Sequence, residues 1–166
     1  MLVEGKEMKS EEAFIRKLDA KDVMEALSVI NKSNAEAYRK IIPQKYFKEP
    51  VFTYEEFLKK FNEMIFYGYE LEGKIVGVAA LQFLSKCSGN VRFVCVLPEH
   101  QRKGIGTSLI THIEAEARRF GLKYLIVPYV DINANWAVNF YMKLGYKVFE
   151  KRKKPWGYDL FFKKVL

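Results

Sequence analysis

Between Val94 and Ile110 the chain reads VCVLPEHQRKGIGTSLI: an apolar run stops at Pro98, two cations and two glycines follow, and an amphipathic pattern begins. The apolar run suits a strand that a proline ends. Ile105, Leu109, Ile113, Ala117 and Phe120 then fall on one stripe at the helical period, up to a stop at Gly121, so a helix is predicted from about Gly104 to Phe120. The next segment, LKYLIVPYV, is apolar throughout and again strand-like. A strand, a helix and a strand in this order must cross over to a parallel neighbour, which places the glycine-containing join at the carboxyl end of the first strand.

The same two periods run through the rest of the chain. AFIRKL reads as a short strand, and Asp19 can cap a helix whose Val23, Met24, Leu27 and Ile30 share a face. From Asn31 to Pro50 the pattern weakens into mixed aromatic and charged residues, which predicts a partly helical excursion of the kind that shapes binding sites. Thr53 and Glu56 form a capping-box pair ahead of Phe57, Leu58, Phe61, Met64 and Ile65, a second helix. GYELEGKIVGVAALQFL predicts two strands turning at Glu72-Gly73, and SGN at 88–90 a second tight turn into VRFVCVL, so these three strands are antiparallel. On the long helix Glu114 and Arg118 are spaced as an i,i+4 pair. LKYLIVPYV has the continuous apolarity of a strand buried on both faces, NANWAVNFYMKLG is helical up to Gly145, and YKVFE and YDLFFKKVL supply two last strands. The order β-α-α-β-β-β-α-β-α-β-β describes an α/β (α+β) fold, a mixed central sheet of about seven strands flanked by helices.

A chain of 166 residues, 49% hydrophobic and 29% charged, is long and apolar enough to fold as a single domain, taken as 13–166 behind a polar, aperiodic and flexible extension at 1–12. Its apolar stretches are far shorter than the roughly 20 residues of a membrane helix, and MLVEGKEMKSEE lacks the apolar core of a signal peptide, so the expectation is a cytoplasmic protein without a membrane partner. Cys87 and Cys95 have no metal-knuckle spacing and suit a reducing compartment. The net charge of +8 favours an anionic partner, without choosing between nucleic acid, an acidic membrane and a phosphorylated small molecule. The densest run, KRKKPW at 151–156, reads as a solvated connecting loop or a phosphate patch.

The join itself is suited to an anion. A glycine-containing turn running into a helix leaves backbone N–H groups unpaired at the positive end of the macrodipole. Gly104 and Gly106 let a ligand approach the backbone without a Cβ, and Gln101, Arg102 and Lys103 bring donors and charge to the rim. Two phosphate motifs fail on these letters: Leu109 stands where a dinucleotide fingerprint needs its third glycine, and Thr107 and Ser108 do not complete a P-loop. An ordinary strand–helix connection fits the two glycines equally well.

VLPEHQRKGIGTSLI also resembles the Q/R-x-x-G-x-G/A signature of the GNAT superfamily of N-acetyltransferases, in its usual place between a strand ending V-x-P and a long helix. YMKLGYKVF is similar to the Y-x-K-x-G-F/Y segment before that family's last hairpin, and LEGKIVGVAAL to its second and third strands, so the likeness covers about residues 14–150. The resemblance implies a splayed strand pair that holds acetyl-CoA as co-substrate, with no metal. Gln101, Arg102, Lys103, Gly104, Ile105, Gly106 and Thr107 would lie at the pyrophosphate, and Val94, Cys95 and Val96 along the pantetheine arm, a backbone amide there serving as oxyanion donor. Tyr141 would be the general acid that protonates the leaving thiolate; without the resemblance, an aromatic at that spacing reads as core. The family's pantetheine-contacting asparagine falls on Ala134, so Asn135 or Asn133 would take that role, and Asn133 is also a candidate helix N-cap.

A primary amine of pKa about 10 must lose a proton before it can attack a thioester. The stretch 91–97 holds no acidic residue, although family members often carry the base on this strand. Glu70, Glu99 and Asp131 are the nearest carboxylates by topology, each read as a solvated charge ahead of a base, and His100 and His112 suit structural roles. No metal-ligating constellation and no Ser-His-Asp or Cys-His arrangement is present. The acceptor is expected near NAEAYRKIIPQKYFKEP, where Glu36, Tyr38, Tyr46, Phe47 and Glu49 could wall an amine site, whether for a small molecule or a peptide N-terminus. A non-catalytic acyl-CoA-binding or protein-interaction module on the same fold is the alternative, motivated by the acid-free strand and Ala134. A nucleic-acid-binding domain lacks aromatic-basic interleaving and a recognition helix. Homodimers are common in the family.

Overall fold

The structure, a computed structural model, describes residues 12–166, and the extension expected at 1–12 lies outside the described residues apart from Glu12. In chain order the elements are β1 (Ala13–Lys17), α1 (Val23–Tyr38), α2 (Tyr54–Glu63), β2 (Ile65–Leu71), β3 (Lys74–Phe83), β4 (Ser88–Val96), α3 (Ile105–Arg119), β5 (Tyr124–Asp131), α4 (Asn135–Lys143), β6 (Lys147–Lys154) and β7 (Gly157–Val165), with short 3-10 turns at Ala20–Asp22 and Pro98–His100. One seven-stranded mixed sheet has the order β1-β2-β3-β4-β5-β7-β6, and only β4 and β5 run parallel. The predicted order of elements is therefore the observed one.

Two helices cover each face. On one, Val23, Ala26, Leu27 and Ile30 of α1 and Phe57 of α2 pack with Val78 and Ala80 of β3 and Cys95 of β4. On the other, Ile105, Leu109, Ile113 and Ala117 of α3 and Tyr141 of α4 pack with Leu81, Val91, Leu125, Val127 and Phe162. Gly77 allows α3 to lie close to the sheet, because a Cβ there would sit 3.0 Å from Ile105 Cγ2 and 3.1 Å from Leu109 Cδ1. Gly77→Ala should cost about 1–3 kcal/mol by overpacking, read as a lower denaturant midpoint with an unchanged slope.

Several sequence expectations are corrected. α1 runs on to Tyr38 rather than weakening at Asn31, because the Asn31 side chain pairs with both backbone groups of Phe52 at 3.0 Å and clamps the helix to the following loop. Met24 is 64% exposed, since its side chain is turned off the stripe that holds Val23 and Leu27. Met64 caps α2, and Ile65 already belongs to β2. The turn placed at Ser88–Asn90 lies earlier: Leu84 N–H and Ser85 N–H both donate to Ser88 O, and Ser88 opens β4. Glu114 pairs with Lys164 Nζ on β7 at 2.7 Å and not with Arg118, because it is turned inward against the sheet. β5 is not buried on both faces, since Tyr129 is 58% exposed beyond the reach of the helices. Most of KRKKPW is strand: Lys151–Lys154 complete β6, which lies at one edge of the sheet.

The first turn of the α1 region is fixed by charge. Arg16 forks onto Asp22 with bonds of 2.9 and 2.8 Å and reaches Glu70 at 3.4 Å, while Asp22 also accepts from the Asp19 N–H at 2.9 Å. The Arg16 hydrogen bonds outweigh burial and hold the Asp22 carboxyl at about 2, against an ordinary 3.8. A folded value below the unfolded one contributes stability that is complete above the unfolded value and is lost as pH falls toward the folded one. Urea unfolding should therefore lose about 2 kcal/mol between about pH 4 and pH 2, and Asp22→Asn should remove that part of the slope.

Candidate active site

The parallel pair β4–β5 comes apart along its length. Ser88, Gly89 and Asn90 pair with Tyr124, Leu125 and Ile126, and beyond Ile126 the ladder ends. Both strands bulge where they part, β4 against β3 between Val78 and Ala80, and β5 against β7 between Val127 and Val130. Phe93 (φ 55°) and Tyr129 (φ 57°) sit in these bulges in the left-handed region, which a bulky residue occupies only under constraint from its surroundings. The result is a gap, with Val94, Cys95 and Val96 on one side and Pro128 to Asp131 on the other.

At the carboxyl end of β4 the chain turns through Pro98–His100 into α3. Arg102 (φ 62°) and Gly104 (φ 80°) both adopt left-handed conformations, and Gly104 is the helix N-cap. Among the described residues, the backbone N–H groups from Arg102 to Thr107 have no protein acceptor, whereas Ser108 N–H donates to Gly104 O at 3.0 Å. Six consecutive free donors around a left-handed turn, at the positive end of a helix, form a concave anion nest. Gln101 acts inside the loop: its N–H donates to Pro98 O and its side chain to Val96 O at 3.0 Å, tying the nest to the strand. A Cβ on Gly104 would meet no protein atom within 4 Å, while one on Gly106 would lie 3.3 Å from the Phe140 ring. Gly104 thus serves the nest, and Gly106 serves the packing of α3 on α4 as well.

Tyr141 is delivered to the gap by a helix end. α4 closes with Tyr146 N–H donating to Tyr141 O and Gly145 N–H to Met142 O, with Gly145 at φ 91°. This is a Schellman closure, and it explains the Y-x-K-x-G spacing: the tyrosine is the residue whose carbonyl the turn caps, and the glycine is the left-handed residue that makes the turn. The ring is 8% exposed and packs on Phe140, Tyr146 and Phe162. Burial, and then the proximity of Tyr38 and Cys95, push its pKa well above the ordinary 10, so the phenol stays protonated. Burial likewise pushes the Cys95 thiol up to about 12, against hydrogen bonds from Ser33 and Asn34 that favour the thiolate. Asn133 is not the N-cap of α4; Ala134 holds that place without a side-chain bond, and Asn135 begins the helix on the surface.

The face of the gap away from α3 is bordered by aromatic contacts. Tyr38, at the end of α1, packs 5.8 Å from Trp136 of α4, and Tyr46, from the loop after α1, packs 5.0 Å from Trp156 in the β6–β7 turn. Burial, and then the proximity of Cys95, Asp131 and Asp159, push Tyr38 up to about 12. Lys154 Nζ bonds Asp131 at 2.7 Å and Asp159 at 2.6 Å, and Trp156 Nε1 bonds Asp131 at 3.0 Å. Trp136 and Asp159 carried no sequence signal for a site and Lys154 entered only as part of the basic run, because the β5–β7 register, with Asp131 opposite Asp159, and the β6–β7 register, with Lys154 opposite Gly157, are what bring the three charges together. Asp131 is a poor base: burial raises its pKa, but the bonds from Lys154, Asn133 N–H and Trp156 outweigh burial and leave it below the ordinary value. Glu70 is held by Arg16, Glu99 lies on the surface, Glu49 pairs with Arg39, and His112 packs edge-on against Tyr67 at 4.8 Å.

A splayed parallel pair, an anion nest at the following helix and a buried tyrosine beside the gap are together on one molecule. A sequence profile of the acetyltransferase (GNAT) family matches residues 28–146. The chain belongs to the GNAT acetyltransferase family. Over 90 residues this GNAT protein is 29% identical to an uncharacterized N-acetyltransferase of Chlorobaculum tepidum; the match covers 54% of each, so the chain spans about half the length of that curated relative. Its fold is that of the PaiA N-acetyltransferase of Thermoplasma acidophilum in complex with coenzyme A (TM-score 0.80, 21% identity, 93% of this chain and 99% of that one). It is also that of the ribosomal-protein-S18-alanine N-acetyltransferase of Escherichia coli (TM-score 0.77, 17% identity, 93% and 94%). Among the described residues of this GNAT protein no helix is long and apolar enough to cross a membrane, and no group of three His, Cys, Asp or Glu side chains is placed to share a metal ion.

Proposed function

We propose that this GNAT protein transfers the acetyl group of acetyl-CoA to a primary amine, of a small molecule or a peptide N-terminus, by direct attack within a ternary complex. The observation that carries the reading is the gap between β4 and β5, which opens to both faces of the sheet and has the anion nest on one of them. The nest suits a pyrophosphate: six free N–H donors from Arg102 to Thr107, with Arg102 and Lys103 exposed at the rim. The unpaired edge of β4 at Val94, Cys95 and Val96 suits an extended arm carrying amides, and Asn135 lies at the mouth of the gap on α4. Acetyl-CoA supplies an activated acyl group with a thiolate leaving group. A backbone N–H in 94–96 stabilises the oxygen that gains charge, and Tyr141 holds a proton for the departing sulfur.

The acceptor enters from the face opposite α3, past Tyr38, Trp136 and the Asp131–Lys154–Asp159 cluster. Residues 13–166 form the single catalytic domain, and two free thiols, Cys87 exposed and Cys95 buried, suit the reducing cytoplasm. A second reading, an acyl-CoA-binding module without turnover, is favoured by β4, whose sequence SGNVRFVCV has no acid to accept the amine proton. A screen of acetyl-CoA against amines and peptide N-termini, read by thiol release, separates the two. Turnover on any acceptor supports the transferase, binding of CoA by calorimetry without turnover supports the module, and no binding of CoA removes both.

A further inference from the structure

Arg92 stands in β4 at the level where the two strands part, one residue before the left-handed Phe93. Its register partner is Ala80, which belongs to the α1–α2 side of the sheet, as does Val78 opposite Cys95. Arg92 therefore lies on the face from which an acceptor approaches, opposite the anion nest. Its guanidinium spans the gap, 5.4 Å from the Phe93 ring on β4 and 5.9 Å from the Tyr129 ring on β5.

Among the described residues the half-buried side chain has no carboxylate partner and one polar contact, Gln82 Oε1 at 3.5 Å, an oxygen that also accepts from Asn90 Nδ2. Arg16, also partly buried, has Asp22 and Glu70, and Arg152, beside Tyr129, is held by Glu150 through bonds of 2.9 and 3.1 Å. Burial lowers the Arg92 pKa, which means that its charge is poorly solvated where it stands. A half-desolvated guanidinium without a counter-ion is costly, and an anion arriving from solution relieves that cost.

We propose that Arg92 reads a carboxylate on the acceptor, so that the preferred substrate is an amine bearing a carboxylate a few bonds from the reacting nitrogen. This rests on the acetyltransferase reading above. A carboxylate fits better than a phosphate because one planar guanidinium between two rings presents a single fork, and Arg152, which could have added charge, is already paired. The CoA phosphates do not account for Arg92, since the nest lies on the other face of the sheet.

The test compares ω-amino acids of graded chain length with the matching n-alkylamines, and the dipeptide amides Ala-Glu and Ala-Gln, on wild type and Arg92→Gln. Both initial rates and calorimetric binding to the CoA-saturated protein are measured. The wild type should favour the carboxylated member of a pair by about 10- to 100-fold in kcat/KM, mostly through KM, and Arg92→Gln should collapse that ratio to about one. The arm that shows the ratio tells a free amino acid from an acidic peptide N-terminus. Arg92→Gln should melt at or above the wild-type temperature, because a half-buried unpaired cation is removed; a marked drop would make Arg92 structural and overturn the proposal. Turnover without carboxylate preference overturns it and leaves the transferase reading standing. Carboxylate-dependent binding without turnover does the reverse, and neither turnover nor such binding removes both.

Discussion

Gly104→Asp should abolish coenzyme A binding, lowering affinity by more than about 10³-fold in calorimetry. Three effects add. The new residue must hold φ 80°, which costs an L-residue about 1–2 kcal/mol. Its Cβ meets no protein atom within 4 Å, and the side chain stands at the N-cap, beside the free N–H groups of Arg102 to Thr107. Its carboxylate then accepts those N–H groups itself and repels a phosphate from the same donors. Gly104→Ala isolates the first two effects and should bind more weakly than wild type but more tightly than the aspartate. Gly121 supplies the control, since it has the same φ of 80° and equally open space but only caps the far end of α3. Gly121→Ala should lose the same stability, about 1 kcal/mol, with CoA affinity intact. Wild-type CoA affinity in Gly104→Asp would remove the nest as the phosphate site.

Tyr141→Phe should lower kcat by about 10²-fold or more while CoA affinity changes by no more than about 2-fold. The raised pKa of this phenol does not disqualify it as an acid. Burial penalises a phenolate and a thiolate alike, and moving the proton from oxygen to sulfur exchanges one buried anion for another in the same pocket. The relevant gap is nearer the solution difference between tyrosine and a thiol, about 2 kcal/mol, than the raised value implies. The ring is held by Phe140, Tyr146 and Phe162, so phenylalanine fills the same volume and stability should change by less than about 1 kcal/mol. Steady-state rates against pH, with calorimetry of CoA, check this; an unchanged kcat would leave the hydroxyl without a catalytic part.

The elements legible in the sequence are those whose cause is local. The end of β4, the turn at Arg102–Gly104 and the stripe of α3 each follow from neighbours within one or two turns, and the spacing of Tyr141 to Gly145 is a helix closure written in five letters. What was hidden depends on distant partners. The second half of α1 looks too polar for a helix until Phe52 is seen bonded to Asn31. Asp131, Lys154 and Asp159 meet only through the β5–β7 and β6–β7 registers, and that meeting makes Asp131 a counter-ion instead of a base. Arg92 is one arginine among many in the sequence. Its significance is that among the described residues it lacks a carboxylate partner, which only the folded arrangement reveals.

The basic run that first suggested a phosphate patch takes on a different meaning as part of β6. A strand at the margin of a sheet presents unpaired N–H and C=O groups, and these template the addition of a strand from another molecule. Five of the eight β6 residues are Lys or Arg, beside the exposed apolar pair Val148 and Phe149, and a bulge breaks the register between Val148 and Glu150. Any second copy docking edge to edge would bring those cations against their own images. The far margin, β1, has only five residues and ends in Lys17. Part of the positive charge thus acts as a guard against fibrillar self-association, and neutralising Lys147, Lys151 and Lys153, which stand clear of the Asp131 cluster, would expose that liability without touching the chemistry of the gap.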